Sequence, residues 1–294
     1  MDNPKTTPLG AVSNEDLIET RHTLHWAMAA ASAPGKQLIS PQPDASEQSL
    51  VWDGARSAFL QGVIAGVHES FRSALVLDPP ALALFDKGGE IVASHPLAGQ
   101  TLDEAYAWLT VEVETRIEHP LEKPLERPVP DQPEETEMPD AAVAHGVPFR
   151  FDHGGPAELA RWFAFGAGLF EEIRANENLA GEILLWPHHF DLATLITLAG
   201  EGENASTVGV GLSPGDSSRP LPYFYVNAWP TPKDPVLPAL PSGGIWNTEG
   251  WFGAVLEAEP LLALSTAEEQ AAAARDFLGV AIETCRRLVG EATR

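Results

Sequence analysis

The six residues Trp186-Pro187-His188-His189-Phe190-Asp191 put two imidazoles and a carboxylate within four positions. Side chains of those types can form a general base with its orienting carboxylate, or contribute two ligands to a metal ion. In an extended conformation, alternation places Trp186, His188 and Phe190 on one face and His189 and Asp191 on the other. His189 and Asp191 are therefore the candidate catalytic pair. A metal site needs three or four ligands. His145, His153, Asp152, Asp216 and Glu249 could supply the third, but no spacing among them selects one, so no metal ligand set is assigned. The structural alternative is a pair of imidazoles bonded to backbone or carboxylates at a sheet edge.

Aromatic residues gather in the same half of the chain: Trp186, Tyr223, Phe224, Tyr225, Trp229, Trp246, Trp251 and Phe252. Tyr223 and Tyr225 alternate with Phe224 and share a strand face. Rigid amphipathic rings of this kind suit the lining of a small-molecule pocket, and they equally suit a core. The candidate ligand-binding set is Trp186, His188, His189, Asp191, Asp216, Tyr223, Tyr225 and Trp251, the tryptophans as walls and the others as polar groups.

Two further patterns carry less. Gly211-Leu212-Ser213-Pro214-Gly215 fits the G-x-S-x-G nucleophile elbow. The residue after that serine must donate its N–H to the oxyanion, and Pro214 has none. The following Asp216-Ser217-Ser218-Arg219-Pro220 reads as turn rather than helix, and no histidine follows His189. A hairpin turn is the expected role. His22 and His25 stand three apart on a helix and could meet one cation, but no H-E-x-x-H arrangement supports this. No P-loop, dinucleotide fingerprint, C-x-x-C pair or EF-hand loop occurs, so no cofactor is expected. Any activity would be hydrolytic or acid–base rather than redox.

The elements that must position these residues fall into two series. Residues 13–33 read as a helix capped by Ser13 and stopped by Pro34-Gly35. Strands are expected at 37–40, 49–52, 57–64, 74–78, 81–85 and 91–94, then a helix from Leu102 opened by Thr101 and Glu104. Seven prolines lie within residues 119–148, and 131–140 carries five acids and no base. That composition marks an extended linker or surface-wrapping arm. A third helix follows Pro156, with strands at 182–190, 192–199, 206–212, 222–229 and 250–256 and a last helix opened by Ser265 and Glu268. The expected fold class is α+β, in two similar lobes, each an antiparallel sheet with flanking helices arising by internal duplication. The lobes are 1–118 and 149–294, joined by 119–148, with the candidate site in the second.

The 294 residues include 42 acidic and 18 basic ones, a formal net charge of −24. Nonspecific attraction to nucleic acid or anionic membrane rests on Lys and Arg, so neither is expected as a partner. No run approaches the roughly 18 apolar residues of a membrane span. Cys285 is the only cysteine, which excludes an intrachain disulfide. With no basic-then-apolar leader at the N-terminus, a cytoplasmic location is expected.

Several segments, taken in order, resemble a bacterial family known as a domain of unknown function. They are Leu24-His25-Trp26, Gly35-Lys36, Phe190-Asp191-Leu192-Ala193, Pro214-Gly215, and Pro222-Tyr223-Phe224-Tyr225-Val226-Asn227-Ala228-Trp229-Pro230. Members of that family carry a "TLHLWTQ…GK" helix and strand, then "FFW(H/G)SFDLA" and "FYAYAYPEP" segments. The resemblance spans roughly residues 20–290 and implies a shared fold without an established activity. Where the family has a longer "HWW" segment, this chain has Pro43-Asp44-Ala45-Ser46-Glu47-Gln48. Serine in the relatives corresponds to His189, whereas Phe190-Asp191 matches, which makes Asp191 the better polar anchor. The functional expectation is a small-molecule-binding protein. The alternatives are a non-enzymatic interaction or self-association module, whose oligomeric state the sequence leaves open, and a metal-binding, hydrolase-like protein.

Overall fold

Proline inside a helix deletes one backbone donor and frees carbonyls in the preceding turn, so Pro34-Gly35 would be expected to end the first helix. In the computed structural model, which describes residues 7–128 and 138–292, that helix (α1, Asn14–Leu38) instead runs past Pro34. The sheet supplies the missing partners. Gln61 is fully buried; its Oε1 accepts from Gly35 N–H at 2.8 Å and its Nε2 donates to Ser32 O at 2.6 Å. Ser73 Oγ donates to Ala31 O at 2.8 Å and lies 2.8 Å from Gln61 Oε1. A Cβ at position 35 would fall 2.1 Å from Gln61 Nε2, so only glycine admits this clasp.

The chain divides into two compact units. The N-terminal unit holds Val12–Ala160 and Leu185–Phe190; the C-terminal unit holds the residues up to Ala11, Arg161–Leu184 and those from Asp191 onward. These limits differ from the composition-based boundary at 119–148, because the described parts of that segment pack on helices of the N-terminal unit. Trp26 Nε1 donates to Pro139 O at 2.9 Å, Gln37 Nε2 donates to Lys123 O at 2.8 Å, and Leu125, Met138 and Val143 are buried. The arm explains why α1 is buried on every side from Thr23 to Gly35. The acidic residues Glu134, Glu135 and Glu137 lie outside the described residues.

Both units are mixed α+β with antiparallel pairing. In the N-terminal unit β1 (Leu50–Asp53), β2 (Ala58–Gln61), β3 (Phe71–Leu77), β4 (Pro80–Asp86) and β5 (Ile91–Pro96) pair in sequence order. Leu185 of β6 (Leu184–Trp186) pairs with Leu50. Helix α2 (Leu102–Ile117) starts with the expected capping box of Thr101 and Glu104. No strand forms at 37–40: α1 takes in Gln37 and Leu38, and Ile39 is its extended C-cap.

In the C-terminal unit β7 (Asp191–Ala199), β8 (Ser206–Ser213) and β9 (Tyr223–Trp229) form a meander. β11 (Gly253–Glu257) joins β9, and β10 (Ile245–Asn247) joins β11. Helix α3 (Gly155–Asn176), from Arg161 onward, and the last helix, α5 (Ala267–Ala292), pack on the Leu212, Phe224 and Val226 side of this sheet; a short α4 (Ala258–Leu262) precedes α5. Phe170 meets Phe224 edge-on at 6.1 Å, and Cys285 Sγ lies 3.9 Å from Val226 O. Burial raises the Cys285 thiol to about 12, the condition of an inert core cysteine. The cap of α5 sits one residue later than the sequence suggests: Thr266 Oγ1 accepts from Glu269 N–H, and Glu269 Oε2 accepts from Thr266 N–H. Leu9 is held against α5 by Gln270, through Leu9 N–H to Oε1 at 2.9 Å.

Gln61→Ala takes the acceptor from Gly35 N–H and one donor from Ser32 O in a buried core. We expect a loss of about 2–4 kcal/mol in urea unfolding, against under about 1 kcal/mol for an exposed control such as Gln42→Ala.

Candidate functional site

The segment Trp186–Phe190 is not extended. β6 ends at Trp186, and Phe190 N–H closes a turn onto Trp186 O at 2.7 Å with Phe190 in the left-handed region, φ 58°. Pro187 favours this turn, having no N–H for a ladder and a fixed φ. Strand alternation therefore does not govern the segment, and the two-face division expected for an extended strand does not apply to it. His188 and His189 are exposed, with ring centroids 4.1 Å apart, and Trp186 lies edge-on to His188 at 6.3 Å. These three residues belong to the N-terminal unit, whereas Asp191, Asp216, Tyr223, Tyr225 and Trp251 belong to the C-terminal unit.

Within the N-terminal unit the Trp186–Phe190 turn is read by His25. Its Nε2 lies 2.8 Å from Pro187 O, consistent with a neutral ring protonated at Nε2, and the ring stacks on Phe190 at 5.2 Å. Burial pulls His25 down to about 3, with the Arg21 charge adding to the effect. Half-buried His22, whose Nε2 accepts from Arg21 Nη2, is lowered to about 4 by burial and by the Arg21 charge. The two rings turn to different partners and share no ligand position. Among the described residues no three His, Cys, Asp or Glu side chains come together to hold a metal ion. His145 pairs with Asp140 at 2.8 Å.

The other residues converge on the C-terminal sheet. Cross-strand register puts Asp191, Gly211, Ser213, Tyr223, Tyr225, Asn227 and Glu257 on the face opposite the one that α3 and α5 cover. Three positions on this face are glycine, and each is roofed by a neighbouring side chain. A Cβ on Gly211 would lie 2.2 Å from Tyr225 Cζ, one on Gly253 would lie 2.3 Å from Trp251 Cζ3, and one on Gly209 would lie 2.3 Å from Asn227 Oδ1. The missing side chains let Tyr225 lie across β8 until its hydroxyl donates to Asp191 Oδ2. Trp251 meets the Tyr225 ring edge-on at 6.3 Å, and Tyr223 lies 6.3 Å from it on the other side.

Asp216 is engaged in the neighbouring turn. Its Oδ1 accepts from Ser218 N–H at 2.6 Å and Arg219 N–H at 2.7 Å, and its Oδ2 accepts from Tyr223 O–H at 2.6 Å. These bonds fix the β8–β9 turn, and Gly215 N–H donates to Ser213 Oγ at 3.1 Å within it. The G-x-S-x-G sequence is thus a hairpin turn. Arg219, which the sequence reading passed over, links the turn to Glu257 Oε1 at 3.2 Å and Asn247 Oδ1 at 3.0 Å. Its sequence signal is that it is the one Lys or Arg between Arg174 and Lys233. Gly209 and Gly253 carry no motif, and Gly211 reads only as part of G-x-S-x-G; glycine in a strand interior is the signal that marks all three.

Burial and the adjacent Asp191 carboxylate push the Tyr225 phenol well above its usual range. Burial and Asp216 do the same at Tyr223. Both phenols are donors to carboxylates and do not serve as nucleophiles near neutrality. No protein-family model, curated protein or solved structure matches this chain. No described helix is long and apolar enough to cross a membrane.

All three tyrosines, Tyr106 included, titrate above the usual value of 10.0. Neutral phenol is favoured in the fold, so its stabilisation is complete below pH 10 and is lost as pH rises above it. Native protein should show almost no phenolate absorbance at pH 10, and its stability should fall above that pH by up to about 1.4 kcal/mol per pH unit for each tyrosine. His22 and His25 have the opposite sign. Folded values lowered from 6.5 mean that stability declines as pH falls below 6.5 towards 3 to 4. A chemical denaturation series across that range should show the decline, and His25→Gln should flatten it.

Proposed function

We propose that the protein binds a small molecule bearing an amine or another hydrogen-bond-donating cation, on the face of the C-terminal sheet that its own helices leave uncovered. The observation that carries this reading is the Asp191–Tyr225 pair, a carboxylate only 7% exposed and set beside an aromatic wall. A buried carboxylate bonded to a Tyr hydroxyl, whose ring Trp251 in turn meets edge-on, attracts a cation through its charge and through the aromatic ring beside it. Trp251, at 37% exposure, is the accessible wall, and Tyr223 with Asp216 stiffens the second side. The acidic chain draws such a ligand in from a distance.

Of the candidate set, Asp191, Tyr225 and Trp251 contact the ligand, and Asp216 and Tyr223 support them. Trp186, His188 and His189 lie in the other unit and take no part in this reading. The similarity to the family of unknown function, through Phe190–Ala193 and Pro222–Pro230, is part of the same proposal. So is internal duplication, supported by the matching order of helix, antiparallel strands and helix in each unit. Function by association is the alternative, and the exposed Trp229 on the same strand as Tyr225 favours it.

Titration with tyramine, agmatine and choline against their neutral analogues, read by calorimetry, tests the cation reading. We expect saturable binding of at least one amine and none of its neutral analogue. Asp191→Asn should weaken that binding about tenfold or more, which is about 1.4 kcal/mol. Gly211→Ala should abolish binding and cost about 1–3 kcal/mol of stability, because the new methyl displaces Tyr225. If no amine binds and Asp191→Asn lowers the melting temperature by several degrees, the pair is structural and the proposal fails.

A further inference from the structure

The strand β5 differs from every strand that precedes it. β2, β3 and β4 are almost wholly buried, whereas β5 is the outermost strand of its sheet and exposes Ile91, Val92, Ser94 and Pro96. Edge strands are usually blunted by charge, and none of Ile91-Val92-Ala93-Ser94-His95-Pro96 is a lysine or a carboxylate. Leu97 N–H donates inward to Pro80 O at 3.0 Å. The antiparallel alternation then turns the N–H and C=O of Ser94 to the free side, and places Pro96 where its missing donor also faces outward. A bulge opposite Leu84 and Phe85 ends the regular ladder at the other end. The free edge is therefore short, centred on Ser94.

Val92 also forms part of a pocket of about 360 Å³ floored by Phe71, with Glu69, Asp86, Glu112 and Arg116 around it. Arg116 is already committed: its Nη1 is 2.6 Å from Glu112 Oε2, and its guanidinium lies over the Phe71 ring at 5.9 Å. His68 at the rim pairs with Glu118 at 2.7 Å. Lys87 is 3.6 Å from Glu69. Carboxylates thus outnumber cations around an aromatic floor. Val67, 57% exposed, has its N–H held by Arg116 O at 2.9 Å and extends the apolar rim.

We propose that β5 is a docking edge for an extended basic segment of another protein, which adds as a strand against Ser94 and places a Lys or Arg side chain in the adjoining acidic pocket. Main-chain bonds at an edge supply affinity without sequence preference, and the pocket for alternate side chains supplies the selection. Charge decides the occupant. A second copy would bring another −24 to the contact, whereas a basic segment is attracted to it.

The test uses the full chain and a capped peptide of alternating valine and lysine, with valine–threonine and valine–glutamate peptides as comparisons. Hydrogen exchange should show the Val92 and Ser94 amides slowed about tenfold or more by the lysine peptide alone. Its affinity should fall several-fold between about 50 and 300 mM salt, and several-fold in Glu69→Gln/Glu112→Gln. Ser94→Pro, which removes an outward donor and spares the β4 ladder, should abolish the protection with the circular dichroism unchanged. If that variant misfolds, the double glutamine variant and the salt series decide. Equal protection by the threonine peptide, or no protection at about 1 mM lysine peptide, overturns the proposal. So does protection that grows with protein concentration alongside a dimer mass in light scattering, since a second copy is then the occupant.

Discussion

A helix that carries proline near its end cannot satisfy its own backbone, and α1 depends on the Gln61 amide to complete it. One side chain accepts from Gly35 and donates to Ser32, while Ser73 takes up Ala31 O. Those bonds join α1 to β2 and β3 at fixed positions, because an amide buried without any of them would be costly. The alanine-rich stretch before Pro34 follows from the same constraint. Small side chains bring the helix axis close enough to the sheet for Gln61 to reach, and the 138–145 segment closes over the outer side through Trp26. Helix, sheet and arm of the N-terminal unit are thereby held in one register.

The C-terminal unit solves a different problem, that of a sheet with helices on one face only. Apolar residues of β7, β8, β9 and β11 meet α3 and α5 on that face. On the other, glycines substitute absence for packing, and Tyr225, Trp251 and Asn227 fold down over the vacated backbone. An aromatic ring laid flat over a strand buries area that a side chain standing upright would leave wet. It also brings a phenol to a carboxylate that strand geometry alone would leave one strand away. The Asp191–Tyr225 pair is therefore a product of the glycine row, and its chemistry is that of a fixed donor and acceptor rather than of a titrating nucleophile.

Charge has several meanings along this chain. Acids at helix starts do local work, as Glu104 and Glu269 do in their caps. Asp216 shapes a turn. Glu112 and Glu177 neutralise the arginines Arg116 and Arg286 beside them. The carboxylates around Phe71 and β5 remain in excess, and there the net charge becomes a local property that selects a partner.

Much of the architecture was legible in sequence because short-range physics encodes it. The capping box at Thr101, for example, follows from a glutamate three residues on. The α+β class and the pairing of Tyr223 with Tyr225 on one face follow in the same way. What tertiary structure decided has partners distant in sequence. Pro34 reads as a helix stop until Gln61, 27 positions on, takes the freed donor. The Trp186–Phe190 segment reads as a strand until Pro187 and the left-handed Phe190 turn it and His25 holds its carbonyl. Asp191 finds Tyr225 only because Gly211, on the strand between them, has no side chain. The sequence by itself determined which elements form and which residues can bear chemistry; their grouping was left to tertiary structure, since whether two such residues meet depends on the empty space a third one leaves.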